Sequence, residues 1–166
     1  MDVTDRFNNL YYYTPYPSSS IGNEKSSSAG SFTGFVCHKN EIYGLTSRHI
    51  LFPESNDPDS KILYKYEDDN EKLRVCIPAL IDHQKTKKSL LVHVRSSQHM
   101  IEGYQRGSFR ALDPELTQTR IKIHQRREER WASSLYTAIH HDPNIGHIYA
   151  APEKWRRIPD YEGFID

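Results

Sequence analysis

The feature that most constrains this chain is an alternating pattern that turns back on itself between Ser31 and Leu51. Phe32, Gly34 and Val36 alternate with Thr33, Phe35 and Cys37, as in a strand buried on much of both faces. His38-Lys39-Asn40-Glu41 is a polar turn, and Ile42-Tyr43-Gly44-Leu45-Thr46 reads as the returning strand. The segment therefore predicts a β-hairpin. Ser47-Arg48-His49-Ile50-Leu51-Phe52 follows as one short helical turn, stopped by Pro53.

Three further strands are expected at Lys61–Tyr66, Leu73–Ile77 and Ser89–Val94. A loop at 54–60 and charged turns at Glu67–Asn70 and Asp82–Lys88 separate them. Residues 31–95 then form a run of short strands without intervening helices, which implies an antiparallel sheet or barrel. Ahead of this run, residues 1–30 read as an irregular lead-in rich in Tyr, Ser and Pro. Tyr11-Tyr12-Tyr13-Thr14-Pro15-Tyr16-Pro17 is extended, because each proline pushes its predecessor toward β or polyproline geometry. Two serine triplets, at 18–20 and 26–28, are flexible by composition.

Behind the strands, Asp113-Pro114-Glu115 is a helix start: an N-cap, a proline at the first helical position and an acid for the dipole. The helical pattern runs to about His140, with Pro143 beyond it, and Gln98–Leu112 reads as helical in part. Apolar positions are dense only in its last two turns, and Gln125–Arg130 is charged all round, so the helix is expected to project from the body or lie on its surface. His147–Ala151 and the opening Phe164-Ile165-Asp166 return to strand. The expected fold is mainly β: a barrel body over 31–166, interrupted by a helical insertion at about 98–142.

Composition narrows the function classes. The 166 residues carry 22 Lys+Arg against 22 Asp+Glu, which argues against a general polyanion binder while leaving room for a local basic patch. No run approaches the ~18 apolar residues of a membrane span. Met1-Asp2-Val3-Thr4-Asp5-Arg6 lacks the basic-then-apolar order of a secretory signal. Cys37 and Cys76 are too few for a disulfide framework. A cytoplasmic, intracellular chain with reduced thiols is the expectation. Hydrophobic content of 36% and a mean hydropathy of −0.78 imply a core thin for the length. Either part of the chain lies outside the core or part of the core is missing.

Ser31-Phe32-Thr33-Gly34-Phe35-Val36 followed by Tyr43-Gly44-Leu45-Thr46-Ser47-Arg48-His49-Ile50-Leu51 resembles the N-terminal barrel of trypsin-like serine peptidases. In that family a glycine-rich strand leads into an L-T-x-x-H strand end whose histidine is the general base, and the match here is His49. The resemblance implies one antiparallel barrel half of a double barrel. T-S-R-H-I stands where secreted members have T-A-A-H-C, so the flanking cysteine is absent, as befits an intracellular type. The aspartate that orients the histidine falls on Asp166, after Gly163-Phe164-Ile165, with an ordinary terminal carboxylate as the alternative. Asp113 and Asp142 read instead as helix cap and helix exit, and Asp82 as part of a polar turn. No serine stands in a G-x-S-G context; Gly30-Ser31 and Gly107-Ser108 lack the following glycine. The resemblance thus implies an incomplete serine peptidase, inert as it stands unless a downstream barrel supplies the nucleophile, acting on polypeptide without a cofactor.

Other constellations have plainer readings. His140-His141-Asp142 with His147 matches no zinc spacing and reads as a solvated helix end, leaving no metal and no cofactor expected. Arg120, Lys122, Arg126, Arg127 and Arg130 beside Trp131 suggest nucleic acid, but Glu128 and Glu129 dilute the patch toward an exposed, salt-bridged helix. Lys154-Trp155-Arg156-Arg157 reads as a basic surface loop. The rival to a peptidase is a non-catalytic protein-interaction module or pseudopeptidase that binds a protein partner, with no membrane involved.

Overall fold

The computed structural model of the chain describes residues 11, 15–52, 64–66, 72–109 and 113–151, and the backbone at 156–157 and 164–165. The chain divides into two compact units. One comprises Tyr12–His83 and Asp142–Asp166, the other Met1–Tyr11 and Gln84–His141.

The first unit is built from short strands. β1 (Ser20–Asn23), β2 (Gly30–Ser31), β6 (Arg74–Cys76) and β7 (Asn144–His147) form a four-stranded antiparallel sheet in the order β2-β1-β6-β7. Three two-stranded pairs accompany it: β3 (Gly34–His38) with β4 (Glu41–Leu45), β5 (Tyr64–Lys65) with β8 (Ala150–Ala151), and β9 (Arg156–Arg157) with β10 (Phe164–Ile165). The one-turn helix α1 (Arg48–Leu51) buries Ile50 and Leu51. Phe32, at 1% exposure, anchors a core with Ile21, Leu51, Phe52, Val75, Ile77 and Ile148. Gly44 is required beside it, because a Cβ there would lie 2.9 Å from the Phe32 ring.

The second unit holds most of α2 (Leu80–Gln105), which starts in the first unit, and all of α3 (Pro114–His140). No Gly or Pro interrupts 80–102. One face of α2 buries Thr86, Leu90, Val94, Ser97 and Ile101, spaced by three or four residues. Its end is a Schellman motif: Gly107 N–H bonds Tyr104 C=O (3.2 Å) and Ser108 N–H bonds Gly103 C=O (2.9 Å). Gly107 supplies the left-handed φ of +67° this needs. Asp113 caps α3 by accepting from Glu115 N–H, with Pro114 as the first helical residue. The helices meet antiparallel through stacked His93 and Trp131 (4.6 Å), a Gln98 Nε2 to Glu128 Oε1 bond (2.7 Å), and Tyr104 near His124 (5.9 Å).

The mainly β barrel expectation is overturned. Two helices of 26 and 27 residues dominate, the strands are short, and no closed barrel forms among the described residues. Ser89–Val94 is helix, not strand, and Asp82–Lys88 is its first turns, not a charged loop; helical structure begins at Leu80 rather than near 98. The reason is periodicity over a longer window: Leu90 and Val94 share a face with Thr86, Ser97 and Ile101, and a six-residue apolar run does not reveal this. β3 is mostly exposed rather than buried on both faces: Phe35 at 49% and Val36 at 42% point to opposite sides of the strand, and neither side is fully covered. His147–Ala151 breaks into β7 and β8, Arg156–Arg157 is a strand rather than a loop, and β1 forms within the irregular lead-in. The hairpin, the α1 turn and the Asp113-Pro114 start stand where the sequence places them.

Candidate functional site

The site lies in the first unit and begins with the β3–β4 hairpin. Lys39 and Asn40, with φ of 49° and 65°, make a two-residue turn of type I′, whose twist suits a tight hairpin. Such a turn makes His38 and Glu41 the closing bonded pair, and the bonding alternates from there: Val36 with Tyr43, Gly34 with Leu45. Ile42 and Gly44 consequently direct their N–H and C=O groups away from β3. No second strand pairs with this edge of β4 among the described residues.

A second extended segment, 145–151, borders the same space. β7 pairs with β6 as Val75 with Gly146 and Cys76 with Asn144, so Ile145 is an extra residue in a bulge. Gly146, at φ +148°, supplies the backbone geometry. The bulge leaves Ile145 half-exposed, while Ile148 beyond it is buried. Between 41–46 and 145–151 runs a cleft of about 1070 Å³ over Ile21, Phe32, Leu51 and Val75. Consecutive residues border it on both sides, as expected where strand edges rather than faces form the walls. Ile42 is 73% exposed there, accompanied by exposed Leu45, Ile145 and Tyr149.

The polar groups of the cleft are sparse. Tyr43 O–H donates to the Glu41 carboxylate, and that bond to a negative partner pushes the phenol pKa up to about 12. The Tyr43 and Tyr149 rings pack at 5.1 Å, and Tyr66 meets His147 edge-on at 4.8 Å, with the Lys72 ammonium 5.5 Å above the Tyr66 ring. Arg48 is buried at the base, its Nη1 donating to Ala151 C=O (3.4 Å) and its guanidinium 4.9 Å from the Phe52 ring.

The sequence-derived residues fall elsewhere. His49 is exposed on α1 between buried Arg48 and Ile50, and it is not among the residues lining the cleft. Asp166 lies outside the described residues. Ser31 and Ser108 are exposed, and the Ser31 C=O accepts from Thr46 Oγ1 at 3.0 Å. Asp82 accepts from Ser20 Oγ at 2.5 Å, and Asp142 accepts from Asn144 N–H just past α3. His140 Nδ1 lies 2.8 Å from Tyr136 C=O and His141 packs against Tyr11, and no three His, Cys, Asp or Glu side chains converge on a metal position among the described residues. Arg120, Lys122, Arg126, Arg127 and Arg130 are exposed on α3, while Trp131 is half-buried on His93. No helix among the described residues is long and apolar enough to cross a membrane.

Glu41, Ile42 and Tyr149 were legible as strand or turn residues but not as site residues. Nothing in their spacing says that an edge stays unpaired. Compared with protein-family models, curated proteins and solved structures, the chain matches none.

Proposed function

We propose that this chain is a non-catalytic protein-interaction module that binds an extended polypeptide segment by strand addition along β4. The observation that carries the reading is the outward-facing edge of Ile42 and Gly44, with no second strand paired to it among the described residues, beside an apolar cleft bordered by a second extended segment. An extended peptide satisfies such an edge with main-chain hydrogen bonds while its alternate side chains enter the cleft. The exposed apolar residues there are the kind of patch that marks an interaction surface on a soluble domain. The peptidase expectation drew its geometry from a closed barrel, which does not form among the described residues, and the described residues lining the cleft include no serine or cysteine.

The test is selection of displayed random eight-residue peptides on the full chain, followed by amide hydrogen exchange with a synthetic copy of an enriched peptide. Protection of the Ile42 and Gly44 amides is the expected result. Ile42→Pro removes the outward N–H at an edge position where proline is tolerated, and should abolish binding; Ile42→Ala, which keeps the N–H, should bind measurably. No enrichment, or protection elsewhere with these amides unchanged, overturns the reading.

A further inference from the structure

The cleft also carries chemistry that selects among extended segments. Resting on the strand-addition reading, we infer that the segment bound beside β4 is basic, and that one of its Lys or Arg side chains docks against the Glu41 carboxylate and the faces of Tyr43 and Tyr149.

Among the described residues lining the cleft, Glu41 is the only carboxylate, and it is exposed. Tyr43 donates its hydroxyl proton to that carboxylate, which orients it beside the ring. Tyr43 and Tyr149 are packed at 5.1 Å and tilted at 49°, and Tyr149 is 47% exposed, so an electron-rich ring face adjoins the negative group. A cation within about 6 Å of such a face is attracted by the ring quadrupole, most strongly where water is partly excluded. The same aromatic cluster already holds one cation, since the Lys72 ammonium rests over Tyr66. That leaves Tyr43 and Tyr149 as the faces for a cation from outside.

The opposite preference has less support. Among the described residues lining the cleft, Arg48 is the one guanidinium, and it is 6% exposed, directed at the Ala151 carbonyl and packed on Phe52. An acidic segment entering from solvent would meet Glu41 first. An uncharged apolar segment would fill the space near Ile42 and Ile145 but leave the carboxylate facing an apolar partner. Strand addition supplies the placement: a residue opposite Tyr43 on a bound strand projects on the same face as Tyr43.

The peptides enriched on the full chain provide the probe. The expected result is one position dominated by Lys or Arg between β-branched or aromatic neighbours. In a synthetic copy, Lys→norleucine at that position keeps the chain length and removes the charge. It should weaken binding about tenfold, and the difference should shrink as salt is raised. Glu41→Gln in the protein should abolish most of the preference for Lys over norleucine, and Tyr149→Leu should reduce it.

The two readings separate cleanly. Protection of Ile42 and Gly44 by peptides without a basic position, or a Lys preference unchanged in Glu41→Gln, overturns the basic-segment inference and leaves strand addition standing. Absence of any enriched peptide overturns both. Enrichment of acidic peptides reverses the sign of the inference and sinks it.

Discussion

The two units solve the problem of a thin core in different ways. The β unit concentrates its apolar residues: Phe32 and eight other buried apolar side chains form one cluster drawn from segments far apart in sequence. The helical unit spreads them along a seam. Leu90, Val94 and Ile101 on α2, and Ile121 and Ala138 on α3, are interleaved with buried Thr86, Ser97 and Ser134. Ring contacts and a hydrogen bond join its helices, among them His93 with Trp131 and Gln98 with Glu128. A low hydrophobic fraction can therefore still support a packed centre, provided part of the chain accepts a polar, helical seam. Non-local strand pairing needs a cluster, whereas a helix satisfies its own backbone and asks less of its partners.

The comparison can be broken most sharply by truncating each centre. Phe32→Ala should lower unfolding stability by ~3–5 kcal/mol, because an aromatic ring leaves a large cavity in a nine-member cluster. Leu90→Ala, fully buried but on a mixed seam, should fall at the lower end of the ~2–5 kcal/mol seen for buried leucines. Urea titrations followed by circular dichroism measure both. Equal losses, or a larger one at Leu90, would show that the helical seam is the more tightly packed of the two.

A smaller effect is expected at the start of α3. Asp113→Ala removes the side chain that accepts from Glu115 N–H, but that bond is long, at 3.5 Å. The loss should be ~0.5–1 kcal/mol, at the weak end for N-caps, and Asp113→Asn should recover most of it. A cost above ~2 kcal/mol would mean that the cap orders more than the first turn.

A third effect is a pH dependence found in both units. In the helical unit, burial pushes the Tyr11 phenol up to about 12, opposed by a hydrogen bond with Thr86. In the β unit, burial, reinforced by Glu24 and Asp142, pushes the Cys76 thiol up to about 11. Both groups are neutral when protonated, and folding raises their pKa. Their contribution is present below the unfolded values and fades as pH rises, from about 9 to about 11 for Cys76 and from about 10 to about 12 for Tyr11. Thermal melts between pH 8 and pH 12 should flatten in the upper part of that window for Tyr11→Phe and in the lower part for Cys76→Ala. Identical profiles in all three chains would remove this assignment.

What the sequence determined by itself is local. The β3–β4 hairpin, the short α1 turn and the Asp113-Pro114-Glu115 helix start each depend on contacts within a few residues, through a turn geometry, a cap or a fixed proline φ. Gly107 belongs to the same class, since the Schellman motif it closes spans six residues. Tertiary structure alone decided the rest. Ser89–Val94 is helix because Leu90 and Val94 bury with Thr86, Ser97 and Ile101 along one face, an outcome settled by what that face packs against rather than by the run's own β-branched residues. Strand β1 joins β6 because Gly22 and Asn23 pair with Cys76 and Val75, more than 50 positions away. The cleft lies where no second strand pairs with β4 among the described residues and where a bulge leaves Ile145 half-exposed. A missing neighbour leaves no trace in the residues of the strand that lacks it, and so Glu41, Ile42 and Tyr149 became a site only once the chain was folded.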